Sequence, residues 1–173
     1  MFTTFTPSLG KGRTVPGLPA RRTELSLVCT PGSVGRARHH AAHVLRGWRA
    51  HDDTVDAACL IVSELTTNVL CHAEGGADRP GSGGSFTLGL EIMGDLVEIS
   101  VWDPDPTPPV RAAPEADQIH GRGLVIVSMT STRWGHRAAA RGPGKVVWAR
   151  LPLVRGDVPA SVLRDSDPPA AGD

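Results

Sequence analysis

Residues 86–102 read FTLGLEIMGDLVEISVW. Two strand-like runs, 86–93 and 96–102, meet at Gly94-Asp95, a pair that favours a tight hairpin. The stretch DPDPTPP at 103–109 stops the second run abruptly. Further along, runs 133–138 and 146–153 flank Arg141-Gly142-Pro143-Gly144 and predict a second hairpin. Two adjacent hairpins imply an antiparallel sheet.

Upstream, ELSLVC at 24–29 alternates as a strand does. Thr30-Pro31-Gly32-Ser33 breaks it. Ser33 is placed to cap a helix over 34–49, on which Val34, Ala37, Ala41, Val44, Leu45 and Trp48 keep helical spacing. Asp52, Asp53 and Thr54 offer a second cap, for a helix to about 73 that would bury Ala57, Ala58, Ile61, Leu65 and Val69. A glycine-rich loop at 74–85 and a polar loop at 110–120 interrupt the pattern. Gly121-Arg122-Gly123 then opens a short helix over 124–130. The order β-α-α-β-β-α-β-β predicts an α+β two-layer sandwich, a sheet covered on one face by three helices. Residues 1–20 read as a loose arm, 21–154 as one domain and 155–173 as a disordered tail.

At 173 residues, 40% hydrophobic and 21% charged, the chain has the material for one proper core. A formal net charge of zero gives no reason to expect a nucleic-acid or membrane partner. The cysteines Cys29, Cys59 and Cys71 are odd in number and form no CxxC, so a reducing compartment is expected rather than a disulfide framework. The longest apolar run is short for a membrane span, and no signal-peptide core follows the N-terminal basic residues; the expected location is the cytoplasm.

Three places look chemical. Glu64, Asn68 and His72 recur at four-residue intervals in SELTTNVLCHA (63–73), near one stripe of the second helix. An amide oxygen there can ligate Mg²⁺, while a carboxylate one turn away orients or deprotonates a nucleophile. Taken alone, the spacing also suits an ordinary solvated helix face. Asp103, ending its strand before Pro104 and Pro106, is a fixed acceptor matched to the amino group of adenine and mismatched to guanine. Taken alone, it is also an ordinary Asp-Pro turn. At Gly121-Arg122-Gly123-Leu124, two glycines let backbone approach a ligand where helix N–H groups favour phosphate oxygens, and Arg122 can add a bidentate contact. Neither a dinucleotide fingerprint nor a P-loop fits. No strand leads into 121–126, and GPGKV at 142–146 lacks the P-loop spacing.

In this order the three places resemble the boxes of the GHKL (Bergerat-fold) ATPase superfamily, and within it the bacterial anti-sigma regulatory factors of the serine/threonine-kinase type. The likeness rests on ACLIVSELTTNVLCHA (58–73) as N box, VWDPDP (101–106) as G1 box and GRGLVIV (121–127) as G2 box. RWG (133–135) with GKVVWARL (144–151) resembles the closing hairpin, so the likeness spans about 22–153. The chain differs in carrying Pro104 and Pro106 where the superfamily often has glycines, and Val146 or Val147 where a threonine is common.

The resemblance implies a mixed, mostly antiparallel sheet with helices on one face, and ATP and Mg²⁺ as ligands. It implies Glu64 as general base, Asn68 as Mg²⁺ ligand and Asp103 as the adenine reader, with Gly121, Arg122, Gly123 and Leu124 about the phosphates. The implied function is transfer of the γ-phosphate to a serine of a STAS-domain anti-anti-sigma protein, with a sigma factor as second partner. The alternative is a non-catalytic, ATP-dependent switch that sequesters a sigma factor or another regulator. Relatives of this type often form homodimers, which extends that expectation to this chain.

On the first helix, His39 and His43 are one turn apart, but no third ligand is spaced nearby, so a metal module is not expected. Arg36, Arg38, Arg46 and Arg49 read as a solvated basic face, and Trp48, Trp134 and Trp148 as core or rim packing.

Overall fold

The computed structural model describes residues 21–74, 84–109, 122–140 and 142–156. Along the chain these form β1 (Arg22–Val28), α1 (Ser33–Gly47), α2 (Asp52–Glu74), β2 (Ser85–Met93), β3 (Leu96–Asp103), α3 (Gly123–Thr130), β4 (Arg133–Ala138) and β5 (Lys145–Pro152). The order is the one expected. The arm, the loops at 75–83 and 110–121, the tail beyond 156 and the side chain of His72 lie outside the described residues.

The strands make one sheet in the order β1-β2-β3-β5-β4. Every pairing between these strands is antiparallel, so the mixed character implied by the resemblance is not found among the described residues. The β2–β3 hairpin turns on Gly94, whose φ of 68° is free of a Cβ penalty only in glycine. The turn sets Met93 opposite Leu96 and carries that register to Thr87 opposite Trp102.

The pleat then sends Phe86, Leu88, Val97, Ile99, Ala149 and Leu151 to the helix side, where all are buried. α1 and α2 meet them through Ala37, Ala41, Leu45, Ala58, Ile61 and Leu65, and the alanines let the helices approach closely. Each large side chain so buried contributes about 1.5–3 kcal/mol. Residues 52–71 of α2 are long and apolar enough, by length and composition, to cross a membrane. Packing against both other helices and the sheet accounts for that apolarity.

One detail differs from the sequence reading. Ser33 is the first residue of α1 and Gly32 its N-cap; the Ser33 hydroxyl instead donates to the carbonyl of Val28, fastening the end of β1 to the start of α1. Trp148 lies on the helix-free face, flat enough that a Cβ on Gly135 would come within 2.9 Å of its ring, and Arg150 stacks over it at 4.8 Å. Arg155 bridges Ala50, and Gly156 N–H donates to the carbonyl of Arg49.

Candidate functional site

Thr54 Oγ1 donates to the carbonyl of Pro152 at 3.3 Å, which pins the start of α2 to the end of β5. From there to Asn68 the helix rises about 21 Å, at about 1.5 Å per residue. From Pro152 back to Lys145 the strand covers about 23 Å, at about 3.3 Å per residue. The Glu64–Asn68 stripe is thus carried to the end of the sheet where β3 finishes and β5 begins.

At that end α3 packs against α2. A Cβ built on Gly123 would fall 2.8 Å from Glu64 Oε2 and 3.3 Å from Asn68 Oδ1. The structure thus brings together three residues that sequence reading placed in two separate motifs. Glu64 and Asn68 are half-buried, and the absent side chain at 123 is what lets them lie against the α3 backbone. Arg122 is exposed at the N-cap of α3, where its carbonyl accepts the N–H of Ile126. Leu124 is buried in the core, so only its backbone faces the helix mouth. Gly121 lies outside the described residues.

Asp103 sits at the last position of β3, directly opposite Lys145 of β5, on the helix side of the sheet. Only 4% of either residue is exposed. Lys145 Nζ donates to Asp103 Oδ2 at 2.7 Å and to the carbonyl of Asp105 at 2.8 Å. Asp105 N–H donates to Asp103 Oδ1 at 2.9 Å. The carboxylate read as a fixed acceptor is therefore one end of a buried ion pair. Sequence reading missed Lys145, which it met only in a failed P-loop and in the closing hairpin. The signal lay in register: aligning GKVVWARL (144–151) antiparallel to β3 sets this lysine opposite the strand-ending aspartate. Gly144 makes the approach possible. Its φ is +112°, and a Cβ there would strike the carbonyl oxygen of Asp103 and come within 3.1 Å of Pro104 Cα.

Cys29, just past β1, feels the same corner. Burial pushes its thiol pKa up, and the charge of Asp103 adds to the rise. Among the described residues, no three His, Cys, Asp or Glu side chains are placed to hold a metal. A shallow, open cleft of about 540 Å³ between β1 and the end of α1, lined in part by Arg21, His43 and Trp48, lies at the opposite end of the sheet and holds none of Glu64, Asn68, Asp103, Gly123 and Lys145.

Residues 27–151 match the family described as the histidine kinase-like ATPase domain. Among solved structures, the chain is similar to the RsbU and RsbW domains of Rv1364c from Mycobacterium tuberculosis, with a TM-score of 0.56 and 18% sequence identity. That similarity covers 79% of this chain and 33% of the other, so the chain spans about a third of the length of that relative. At this identity the likeness is one of fold, and it agrees with the antiparallel sheet and three helices described above. No curated protein matches the chain in sequence. With the family match reaching from β1 to β5, the chain belongs to the histidine kinase-like ATPase domain family.

Proposed function

We propose that this domain binds Mg-ATP at the Asp103 end of the sandwich and acts as a regulatory protein kinase, passing the γ-phosphate to a serine of a small STAS-domain antagonist of a sigma-factor pathway. The observation that carries the reading is the convergence of Glu64 and Asn68 on the backbone of Gly123. One amide oxygen, one carboxylate and a helix mouth without a side chain are a donor set that fits a magnesium nucleotide. In this reading Asn68 holds Mg²⁺, the first turn of α3 with Gly121 and Arg122 holds the phosphates, and Asp103 accepts a hydrogen bond from the adenine amino group.

Bound Mg²⁺ supplies neutralisation of phosphate charge. In the transfer, the serine hydroxyl oxygen bonds to the γ-phosphorus as the bond to the β–γ bridging oxygen breaks and ADP leaves. The hydroxyl proton passes to the Glu64 carboxylate. The reading carries with it a cytoplasmic setting, where ATP is supplied.

Calorimetric titration with ATP, ADP and GTP, with and without Mg²⁺, tests the binding half. Adenine preference is expected, and is lost in Asp103→Ala. Labelled ATP with candidate STAS-domain proteins tests the transfer; label on the partner is expected, and is lost in Glu64→Ala. Absence of ATP binding sinks the nucleotide reading. ATP binding with no label on any candidate sinks the kinase and favours the switch. For the switch, Asn68→Ala weakens nucleotide binding and partner capture together, while Glu64→Ala spares both.

A further inference from the structure

Lys145 belongs to none of the three places that pointed to nucleotide chemistry, yet its ammonium is 2.7 Å from the carboxylate proposed to read the base. It is one of two lysines in the chain, the other being Lys11. A lysine is ordinarily exposed, and burying one costs hydration and rotamer freedom unless a partner holds it. Here three hydrogen bonds close a clasp. Lys145 Nζ holds Asp103 Oδ2 and the carbonyl of Asp105, and Asp105 N–H holds Asp103 Oδ1. The chain admits a left-handed Gly144, pressed against the Asp103 carbonyl, to bring β5 into this position. Stability is a poor explanation for such a device, because a buried ion pair is often no more stabilising than an apolar pair of similar volume. Geometry explains it better: both carboxylate oxygens are fixed, so the lone pairs left over point in set directions.

We propose that Lys145 is a positioning residue for base recognition, which aims the Asp103 carboxylate at the 6-amino group of a purine nucleotide. The inference rests on the nucleotide reading of this site and adds to it the residue that sets its specificity. Without the ammonium, Asp103 carries an uncompensated buried charge and the 103–105 turn loses its tie to β5. The carboxylate then turns away or takes up water, and the contact with the amino group goes with it.

The probe that isolates this contact is purine riboside triphosphate, which has hydrogen where ATP has the 6-amino group. Calorimetric affinities for the two nucleotides give a ratio that reads that one hydrogen bond. The wild-type protein is expected to prefer ATP at least tenfold. In Lys145→Met the ratio is expected to fall to within about twofold of its value in Asp103→Ala, with affinity for the purine riboside compound changed less than threefold. Lys145→Arg, which keeps the charge, is expected to recover part of the ratio, and Lys145→Met added to Asp103→Ala to change nothing further. If Lys145→Met does not fold, as read by melting, Lys145→Gln takes its place, being too short to reach Asp103, and the same fall is expected. Equal weakening of both nucleotides would make Lys145 merely structural and overturn the proposal, as would an unchanged ratio. A wild-type protein that binds neither compound overturns the nucleotide reading itself; one whose ATP preference survives loss of Lys145 overturns this inference alone.

Discussion

Replacing Gly123 with alanine inserts one carbon between α3 and the Glu64–Asn68 stripe. The new Cβ would lie 2.8 Å from Glu64 Oε2, where 3.4 Å begins ordinary contact, so the carboxylate must retreat by about 0.6 Å. Asn68 Oδ1, at 3.3 Å, must give slightly. Gly123 lies within α3 and is not among the left-handed glycines, so alanine fits the backbone. There the change is worth about 0.4–1 kcal/mol in the protein's favour. Pushing Glu64 off its rotamer costs about 0.5–1.5 kcal/mol. The two nearly cancel, and the ligand-free melting temperature is expected to move by less than about 4 °C. The site is less forgiving, because misplacement by about 1 Å can cost about a hundredfold in a positioned reaction. For the shift of Glu64 here, we expect about a tenfold loss in the rate of γ-phosphate transfer. The assay is the single-turnover rate at which label passes from ATP to a STAS-domain partner that the wild type labels, with melting curves alongside. A rate equal to the wild type's would refute the reasoning, as would a melting temperature that collapses.

Three further outcomes follow from the described contacts. The Cys29 thiol is raised mainly by burial and further by Asp103, so its alkylation is expected to lag that of exposed Cys71 at neutral pH. In Asp103→Asn its rate profile should shift to lower pH, and mass-mapped alkylation showing no shift would remove the charge as a cause. Glu98, 7% exposed on the helix-free face, is held by Arg150 at 2.8 Å and Arg137 at 3.5 Å. Arg150→Met is expected to cost about 2 kcal/mol in chemical denaturation, less than a fully buried pair because Arg150 is partly open to water, and a second change, Glu98→Gln, should return part of the loss. Burial and, after it, His43 lower the pKa of His40, so the folded state binds fewer protons than the unfolded state just below pH 6.5. Stability present above that pH should be lost as pH falls toward the lowered value. Melting curves of His40→Gln should show a shallower loss, and an identical slope would exclude His40 as the source.

The parts legible in the sequence were those set by local rules. Gly94-Asp95 announces a hairpin because the turn itself demands a left-handed residue, and DPDPTPP ends β3 because proline cannot extend the ladder. Glu64 and Asn68 could be placed on one helical stripe because their spacing is a property of that helix alone. Ser33 misled because a serine before a helix has two uses, and the Val28 carbonyl claimed its hydroxyl. Trp148 was legible as a packing residue, while only strand register says on which face it packs. Lys145 was invisible to motif reading for the same reason. Its partner is 42 residues away, and nothing local to GPGKV says that it will be buried.

These contrasts divide the candidate site into two halves with different physical origins. The half proposed for magnesium and proton transfer is helical: Glu64 and Asn68 come from one element, and Gly123 joins them because two helices pack with nothing between. The half proposed for the base is a product of the sheet, where a strand end, a cross-strand lysine and a left-handed glycine each depend on the β3–β5 register. The two halves are built from different elements, so perturbations of one should leave the other's readout nearly intact, as independent sites do. Gly123→Ala should therefore slow γ-phosphate transfer without changing the preference for a 6-amino purine, and Lys145→Met should do the reverse. Combining them should give the sum of the two effects within about 0.5 kcal/mol. A larger departure would mean that the halves are coupled through the nucleotide or through the 110–121 segment that joins β3 to α3.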